Sequence, residues 1–147
     1  MKDHDKPILL IEDSADDALL LERAIRAAGV ENRIVTTDTG DDGVCYLKGE
    51  GNYTDREKFP LPGVVLVDMK LPGKTGFEIL EWMRGRPELR GILVVAVTGY
   101  REIGQVQRAY DLGAATFLTK TVSREDVTNL IRGFQGYWAL QPPSSGV

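Results

Sequence analysis

The sequence has a single cysteine, Cys45, among its 147 residues. No internal disulfide and no zinc site built from cysteines can therefore form. An excess of positive charge is also missing, because 18 basic and 22 acidic residues give a formal net charge of −4. No overall cationic field is available to hold nucleic acid or anionic lipid. The composition thus gives no support to a DNA-binding or membrane-binding protein.

Long apolar segments are missing as well. No run approaches the roughly 20 apolar residues that cross a bilayer, and the stretch from Met1 to Pro7 has no apolar core of the kind that signal peptides carry. We therefore expect a soluble, cytoplasmic protein. Its length fits one domain that buries its own core without metal or disulfide support.

What the sequence does contain is a series of short apolar runs that alternate with helical patterns. Val64 to Val67 lack polar alternation, which predicts a strand buried on both faces of a parallel sheet. Similar reasoning predicts the other strands at residues 7–11, 32–37, 92–97 and 115–119, and helices at 15–28, 38–47, 75–83, 103–113 and from 123 onwards. Five strand–helix units in succession predict an α/β protein with a doubly wound, five-stranded parallel sheet.

Polar residues stand where these apolar runs stop. Glu12 and Asp13 follow the first strand, and Asp68, Thr98 and Lys120 follow the third, fourth and fifth. Because the carboxyl ends of parallel strands meet at one edge of the sheet, we expect the five side chains to lie close together. Each alone is explained by a helix cap, a turn or a surface charge, so the indication of a site comes from their combination.

This combination has a chemical interpretation. Three carboxylates without an arginine partner would repel one another, and a hard cation with oxygen ligands, Mg²⁺, relieves that repulsion. Lys120 and Thr98 would offer a positive charge and a hydroxyl donor to an incoming phosphoryl group. Asp68 would then be the nucleophile that forms an acyl phosphate.

On these residues the chain resembles a response-regulator receiver domain of two-component signalling, over residues 6–138. The resemblance implies a flavodoxin-like (βα)5 fold in a single domain, with strand order 2-1-3-4-5 and with residues 1–5 and 139–147 as flexible termini. It also implies a phosphoacceptor signalling protein rather than an enzyme, phosphorylated by a histidine kinase with Mg²⁺ as cofactor.

The family pattern assigns individual roles. The phosphoacceptor corresponds to Asp68, the switch hydroxyl to Thr98, the family lysine to Lys120 and the aromatic switch position to Phe117. The resemblance further implies that Mg²⁺ is bound by the side chains of Asp13 and Asp68, by Glu12 through water and by the backbone carbonyl of Lys70.

A narrower resemblance is to the stand-alone regulators of bacterial and cyanobacterial phytochrome kinases. It rests on a long loop at residues 48–62 and on an aromatic segment at residues 134–138. It implies a phytochrome-type kinase as partner and a homodimer. We expect Phe134, Tyr137 and Trp138 to lie in the dimer interface, because large aromatic side chains left exposed usually mark one. The alternative is that these rings cover the edge of their own core.

Two positions depart from the family pattern. Thr121 stands where a proline usually follows the lysine, which leaves the isomer of that peptide open. Gly99 replaces the small alanine common after the switch hydroxyl. Two further positions, Lys70 and Tyr100, correspond to sites that tune phosphate loss in the family. Neither can orient a water for attack, so we expect slow self-dephosphorylation.

Two other functions found on the same fold fit this sequence less well. A flavin or nucleotide module would need a phosphate cradle after the first strand, where the acidic residues 12–17 would repel a phosphate. A phosphohydrolase would need a general base, and none is visible. The alternative that stays open is an interaction module that works without phosphorylation.

Overall fold

The computed structural model describes residues 3–142, without the side chains of residues 3, 100, 101 and 103. Its centre is a parallel sheet of five strands in the order β2-β1-β3-β4-β5. The predicted fold class and strand order are therefore confirmed. The strands are β1 (Ile8–Ile11), β2 (Ile34–Thr37), β3 (Val64–Asp68), β4 (Leu93–Thr98) and β5 (Thr116–Thr119).

Helices cover both faces of this sheet. α1 and α5 pack on one face, and α2, α3 and α4 pack on the other. Strands β1, β3 and β4 are buried along their whole length, as their uninterrupted apolar runs predict. Within residues 3–142 no helix has the length and apolar character needed to span a bilayer. The helices are α1 (Ala15–Ala27), α2 (Gly40–Lys48), α3 (Gly76–Arg84), α4 (Val106–Asp111) and α5 (Arg124–Gly133).

Four of these helices have a serine or threonine N-cap whose side-chain oxygen accepts a hydrogen bond from the first turn. Thr39 and Ser14 each accept a hydrogen bond from the backbone N–H three residues later, and Thr75 and Ser123 form reciprocal capping boxes with Glu78 and Asp126. Ser14 differs from the last two because the Asp17 carboxylate does not return a bond to the backbone of the cap. That carboxylate is thus left for another partner.

The fourth helical segment is shorter than predicted. Residues Tyr100–Gln105 form a 3₁₀ helix, and the α-helix begins only at Val106. Gly104 lies in this interval and Gly99 directly precedes it. Glycine weakens α-helical structure because its backbone loses more conformational freedom on folding. The connection after β4 is consequently less regular than the other strand–helix connections.

Asn32 joins the two ends of the described chain. Its buried amide Nδ2 donates to the carbonyl oxygens of Lys6 (2.9 Å) and Tyr137 (3.0 Å), and its Oδ1 accepts from the Ala139 N–H (2.7 Å). This use of Asn32 explains why β2 starts at Ile34 rather than at residue 32. The amide connects the segment before β1 to the segment after α5.

The flexibility of residues 1–5 and 139–147 stays a prediction, although parts of both segments form hydrogen bonds. Asp3–Asp5 form a 3₁₀ turn, and residues 139–141 bond to the chain at residues 29–31, where Val30 forms an antiparallel bridge with Leu140. Residues 1–2 and 143–147 of the predicted termini lie outside the described residues.

The long loop at residues 48–62 is held by one arginine. The Arg56 guanidinium donates to the carbonyl oxygens of Tyr46 (2.8 Å), Leu47 (2.7 Å) and Phe59 (3.0 Å). Two of these carbonyls belong to the last turn of α2, whose final carbonyls have no partner within the helix. The loop is thereby fastened to the end of the helix from which it departs.

Candidate functional site

The five strand-end residues singled out in the sequence meet at one edge of the sheet. The parallel register pairs Asp68 at the end of β3 with Val97 of β4, and Thr98 with Thr119 at the end of β5. Glu12 follows β1 directly, and Lys120 follows β5. The side chains that the sequence predicts to be neighbours are thus delivered together by the ends of β1, β3, β4 and β5.

An acidic cluster occupies the middle of this edge. Glu12, Asp13 and Asp68 each place one carboxylate oxygen within 4.8 Å of the others. Glu12 and Asp68 are buried, whereas Asp13 is exposed. Three oxygen donors of this kind match the preference of Mg²⁺ or another hard cation, so the residues present fit the implied metal.

Lys120 lies against the same carboxylates. Its ammonium Nζ is 2.6 Å from Glu12 Oε1, 2.8 Å from Asp68 Oδ2 and 3.0 Å from Asp17 Oδ2. Burial alone would lower the pKa of Lys120, but the hydrogen bonds to Asp68, Glu12 and Asp17 outweigh it and raise that pKa. The lysine therefore stays protonated and supplies a fixed positive charge beside Asp68.

Glu12 responds differently although it shares the same ammonium. Burial and the neighbouring Asp68 carboxylate raise the pKa of Glu12 to about 7, while the bonds from Lys120 and from the Ser14 N–H pull it down. Burial is the largest cause of this rise, and the bond from Lys120 offsets only part of it. A divalent cation would supply the missing positive charge.

Asp17 is a site residue that the sequence analysis missed. It stands in the first turn of α1, where an acid is ordinarily read as part of a helix cap. In the structure its N–H satisfies the cap and its carboxylate accepts from Lys120 instead.

Thr98 brings an unsatisfied hydroxyl to the site. The residue is 2% exposed, and among the described residues its Oγ1 is buried without a hydrogen-bond partner. Its carbonyl accepts from the Lys120 N–H at 2.8 Å, which ties the ends of β4 and β5 together. Buried hydroxyls normally have a partner, so an orphan at this position points to an acceptor that the chain itself does not provide.

The turn after β3 adds a backbone donor. The Lys70 N–H donates to Asp68 Oδ1 at 2.9 Å, so both oxygens of Asp68 are engaged. The Lys70 ammonium lies elsewhere, 3.4 Å from Glu102 Oε1. A metal-binding role for the Lys70 carbonyl stays a prediction. The predicted tuning residue Tyr100 has its side chain outside the described part of the chain.

Two further features of the β5 end bear on the sequence predictions. The Lys120–Thr121 peptide is cis, which answers the question left open by the missing proline. Phe117 on β5 is partly buried. Its ring lies edge-on to the ring of Tyr110 on α4, with 6.3 Å between the ring centroids. Its role as a switch stays a prediction.

The aromatic segment after α5 contradicts the reason given for a dimer interface. Trp138 is 7% exposed and its Nε1 donates to the Phe134 carbonyl at 2.7 Å. Phe134 and Tyr137 are partly buried against the core on the α1 and α5 face. The expectation that all three rings are left exposed is therefore wrong, and Trp138 belongs to the core of its own chain.

Comparison with known proteins adds the family context. The profile of the response regulator receiver domain matches residues 8–132. The chain is 29% identical over 133 residues to Response regulator Rcp1 of Synechocystis sp., covering 90% of this chain and 88% of that protein. A structure of the Mn²⁺-bound form of Rcp1 has a TM-score of 0.73 at 28% identity and covers 93% of this chain and 99% of its own.

Two other solved structures are similar along almost the whole chain. Bacteriophytochrome response regulator RtBRR has a TM-score of 0.82 at 34% identity, covering 96% of this chain and 85% of that one. The phosphorylated cyanobacterial phytochrome response regulator RcpA has a TM-score of 0.73 at 29% identity, covering 95% and 99%.

Proposed function

This chain belongs to the response regulator receiver domain family of two-component systems, and from that premise we propose that it accepts a phosphoryl group on Asp68 from a sensor histidine kinase. The observation that carries the proposal is the surrounding of the buried Asp68 carboxylate. Lys120 contacts one of its oxygens at 2.8 Å, and the unpartnered hydroxyl of Thr98 stands at the end of the next strand.

The transfer step needs no general base. A carboxylate oxygen of Asp68 attacks the phosphorus, the bond from phosphorus to the donor breaks, and the leaving group departs with that electron pair. The product is an acyl phosphate on Asp68. Lys120 stabilises the negative charge of the phosphoryl oxygens, because its ammonium is already held beside the attacking group.

The metal would be held by Glu12, Asp13 and Asp68. Their clustered oxygens support this assignment, as does the Mn²⁺-bound form of the similar regulator Rcp1. When bound, Mg²⁺ would neutralise the acidic cluster and the charge of the phosphoryl group. We propose Mg²⁺ rather than Ca²⁺ because Mg²⁺ is bound by a few carboxylates and keeps several waters, whereas Ca²⁺ takes about six to eight oxygen ligands.

The signal would then pass from Asp68 to the α4 and β5 side of the molecule. Thr98 would donate its hydroxyl to a phosphoryl oxygen, which gives the orphaned group a partner. Phe117 would turn inward, so that phosphorylation shifts an existing two-state equilibrium. Movement of NMR signals from residues 98–120 on addition of beryllofluoride would test this step.

The partner and the assembly are part of the same proposal. The similarity to Rcp1, RcpA and RtBRR supports a phytochrome-type sensor kinase in the cytoplasm as the phosphodonor. Homodimerisation is proposed from the family resemblance alone, since the burial of Trp138 removes the argument from exposed rings. Light scattering over a range of concentrations, with and without beryllofluoride, measures it directly.

We also propose that the phosphorylated protein loses its phosphoryl group slowly by self-dephosphorylation. We expect Lys70→Asn to hasten phosphate loss, because it removes a positive charge near the acyl phosphate. Tyr100→Ala should also hasten it, by opening a path for water.

Incubation with acetyl phosphate and Mg²⁺, followed by intact mass measurement, tests the proposal as a whole. We expect one added phosphoryl group on the wild-type protein, none on Asp68→Asn and none in excess chelator. A fully folded wild-type protein that stays unlabelled would favour the interaction module that works without phosphorylation. Labelling of Asp68→Asn at one stoichiometric site would reject Asp68 as the acceptor.

A further inference from the structure

An ion pair joins the turn after β3, two residues beyond Asp68, to the 3₁₀ helix after β4. Lys70 Nζ lies 3.4 Å from Glu102 Oε1. The two partners differ in burial. The side chain of Lys70 is 81% exposed, whereas that of Glu102 is 23% exposed. The Glu102 N–H also donates to the Gly99 carbonyl at 3.0 Å. The carboxylate is therefore the more enclosed partner and the ammonium the more exposed one.

Gly99 creates the space in which this carboxylate sits. A Cβ at residue 99 would lie 2.5 Å from Glu102 Oε2, closer than non-bonded atoms approach. Gly99 is not in the left-handed region of φ, so its backbone conformation is open to any residue. Glycine at residue 99 is therefore needed to make room for the Glu102 carboxylate, and not to allow a special backbone conformation.

We propose that Glu102 is a positioning residue for the phosphoryl site, which withholds the Lys70 ammonium from Asp68 until a phosphoryl group competes for it. The inference rests on the proposed phosphorylation of Asp68. Glu102 acts through Lys70 and does not itself touch the reacting atoms.

The strengths of the two interactions decide the direction of the exchange. An ion pair with one partner this exposed is weak, because water screens the charges and the long lysine side chain loses freedom when it is held. A phosphoryl group adds a charge of about −1.5 to −2 with strong acceptor oxygens. Lys70 is two residues from Asp68 and its N–H already bonds to that carboxylate. The phosphorylated site therefore attracts the ammonium more strongly than Glu102 does.

The first experiment compares Glu102→Gln with Glu81→Gln, an exposed acid on α3 that changes the net charge equally. Rates of labelling by acetyl phosphate and of phosphate loss from purified phosphoprotein are measured with Mg²⁺ present. We expect Glu102→Gln to speed labelling and to slow phosphate loss, each by about two- to fivefold, the range that such an ion pair allows. Glu81→Gln should match the wild-type protein.

The second experiment separates positioning from simple charge removal. In Lys70→Asn, where no ammonium is left to position, the additional Glu102→Gln change should alter neither rate. Gly99→Ala should reproduce Glu102→Gln while keeping the charge of Glu102, because the new methyl group displaces the end of a flexible side chain.

The outcomes are distinguishable. Rates of Glu102→Gln equal to those of Glu81→Gln, or an undiminished effect of Glu102→Gln in the Lys70→Asn protein, would overturn the role of Glu102 while leaving Asp68 as acceptor. Failure of the wild-type protein to become labelled would overturn the proposed function itself. Circular dichroism of each variant verifies that the comparison is between folded proteins.

Discussion

Each N–H group of the Lys120 ammonium has a carboxylate nearby that can accept a hydrogen bond. Its ammonium has three N–H groups, and three carboxylates from Glu12, Asp17 and Asp68 lie within 3.0 Å of Nζ. The lysine is thus as much a structural counterion for the buried acids as a partner for an incoming phosphoryl group. Its removal should be felt in stability as well as in phosphorylation.

We therefore expect Lys120→Met to lower the free energy of unfolding by about 1–3 kcal/mol without metal, because it leaves buried carboxylates uncompensated. This loss in the free energy of unfolding is smaller than the loss expected for a fully buried ion pair, because the lysine side chain is 23% exposed. Addition of Mg²⁺ should recover part of the loss, as the cation would replace the missing charge. Chemical denaturation with and without Mg²⁺ measures both effects.

Lys74→Met is the matched control, because the ammonium of Lys74 only approaches a surface carboxylate, Asp41, at 3.8 Å. It should change stability by no more than about 0.5 kcal/mol, and equally with and without metal. Lys120→Arg should not restore the wild-type value, because a planar guanidinium cannot direct its donors at three converging acids. Equal stabilisation of wild type and Lys120→Met by Mg²⁺ would contradict this explanation.

Site residues differ in how far the sequence reveals them. Glu12, Asp13, Asp68, Thr98 and Lys120 were found because each stands directly after an apolar run, and strand ends meet at one edge. Asp17 and Glu102 were not found. Their partners are 103 and 32 residues away in the sequence, and neither follows a strand, so no local pattern indicates the contact.

At the scale of elements, the loop at residues 48–62 shows how one side chain can order an irregular segment. Arg56 provides partners for the carbonyls of Tyr46 and Leu47 at the end of α2 and for Phe59 within the loop. Gly49 makes room for it, because a Cβ there would lie 2.7 Å from the Arg56 Nε. The loop is therefore part of the α2 structure rather than a loose insertion.

Arg56→Ala should lower the free energy of unfolding by about 1–3 kcal/mol, because three carbonyl groups lose a charged donor at once. Hydrogen exchange should accelerate mainly at residues 46–60 and leave the central strands protected. Arg90→Ala, at an exposed position, is the control and should change neither measurement. Uniform acceleration across β1, β3 and β4 would show that the loop is not a separate local unit.

The elements themselves were predictable in proportion to their burial. Strands β1, β3 and β4 are covered on both faces, so their sequences are continuously apolar and their positions were evident. Strand β2 lies at the edge of the sheet with mixed polarity, and its start was placed two residues too early. The α-helical start of the fourth segment was also misplaced, since apolar spacing cannot distinguish an α-helix from a short 3₁₀ helix.

For the molecule as a whole, Asn32 is the residue that sets the limits of the folded domain. We expect Asn32→Ala to lower the free energy of unfolding by about 2–4 kcal/mol, because several buried hydrogen bonds to both end segments are lost. Asn32→Asp should be worse, although it is nearly isosteric. It replaces the NH₂ donor by a carboxylate facing the carbonyl oxygens of Lys6 and Tyr137.

Thermal melts at neutral pH compare these two variants, and hydrogen exchange at Ala139 and Gln141 reports whether the end segment has detached. We expect the wild-type protein to have the highest melting temperature, Asn32→Ala a lower one and Asn32→Asp the lowest. A variant Asn32→Asp as stable as Asn32→Ala would show that the carbonyl groups are not confined around residue 32. Asn52→Ala, in the loop away from both ends, is the control for removal of an exposed amide.

The connection through Asn32 also determines how the protein would respond to mechanical force. Tension applied between the two ends first reaches the hydrogen bonds of the end segments. Lys6 and Ala139 are bonded to the Asn32 side chain, and residues 139–141 are also bonded to residues 29–31. The load would pass through these hydrogen bonds before it reached β1 or α5. In a single-molecule pulling experiment the wild-type trace should show an early, small extension as the ends separate, followed by rupture of the sheet. In the Asn32→Ala trace the first event should occur at lower force and the second should be unchanged.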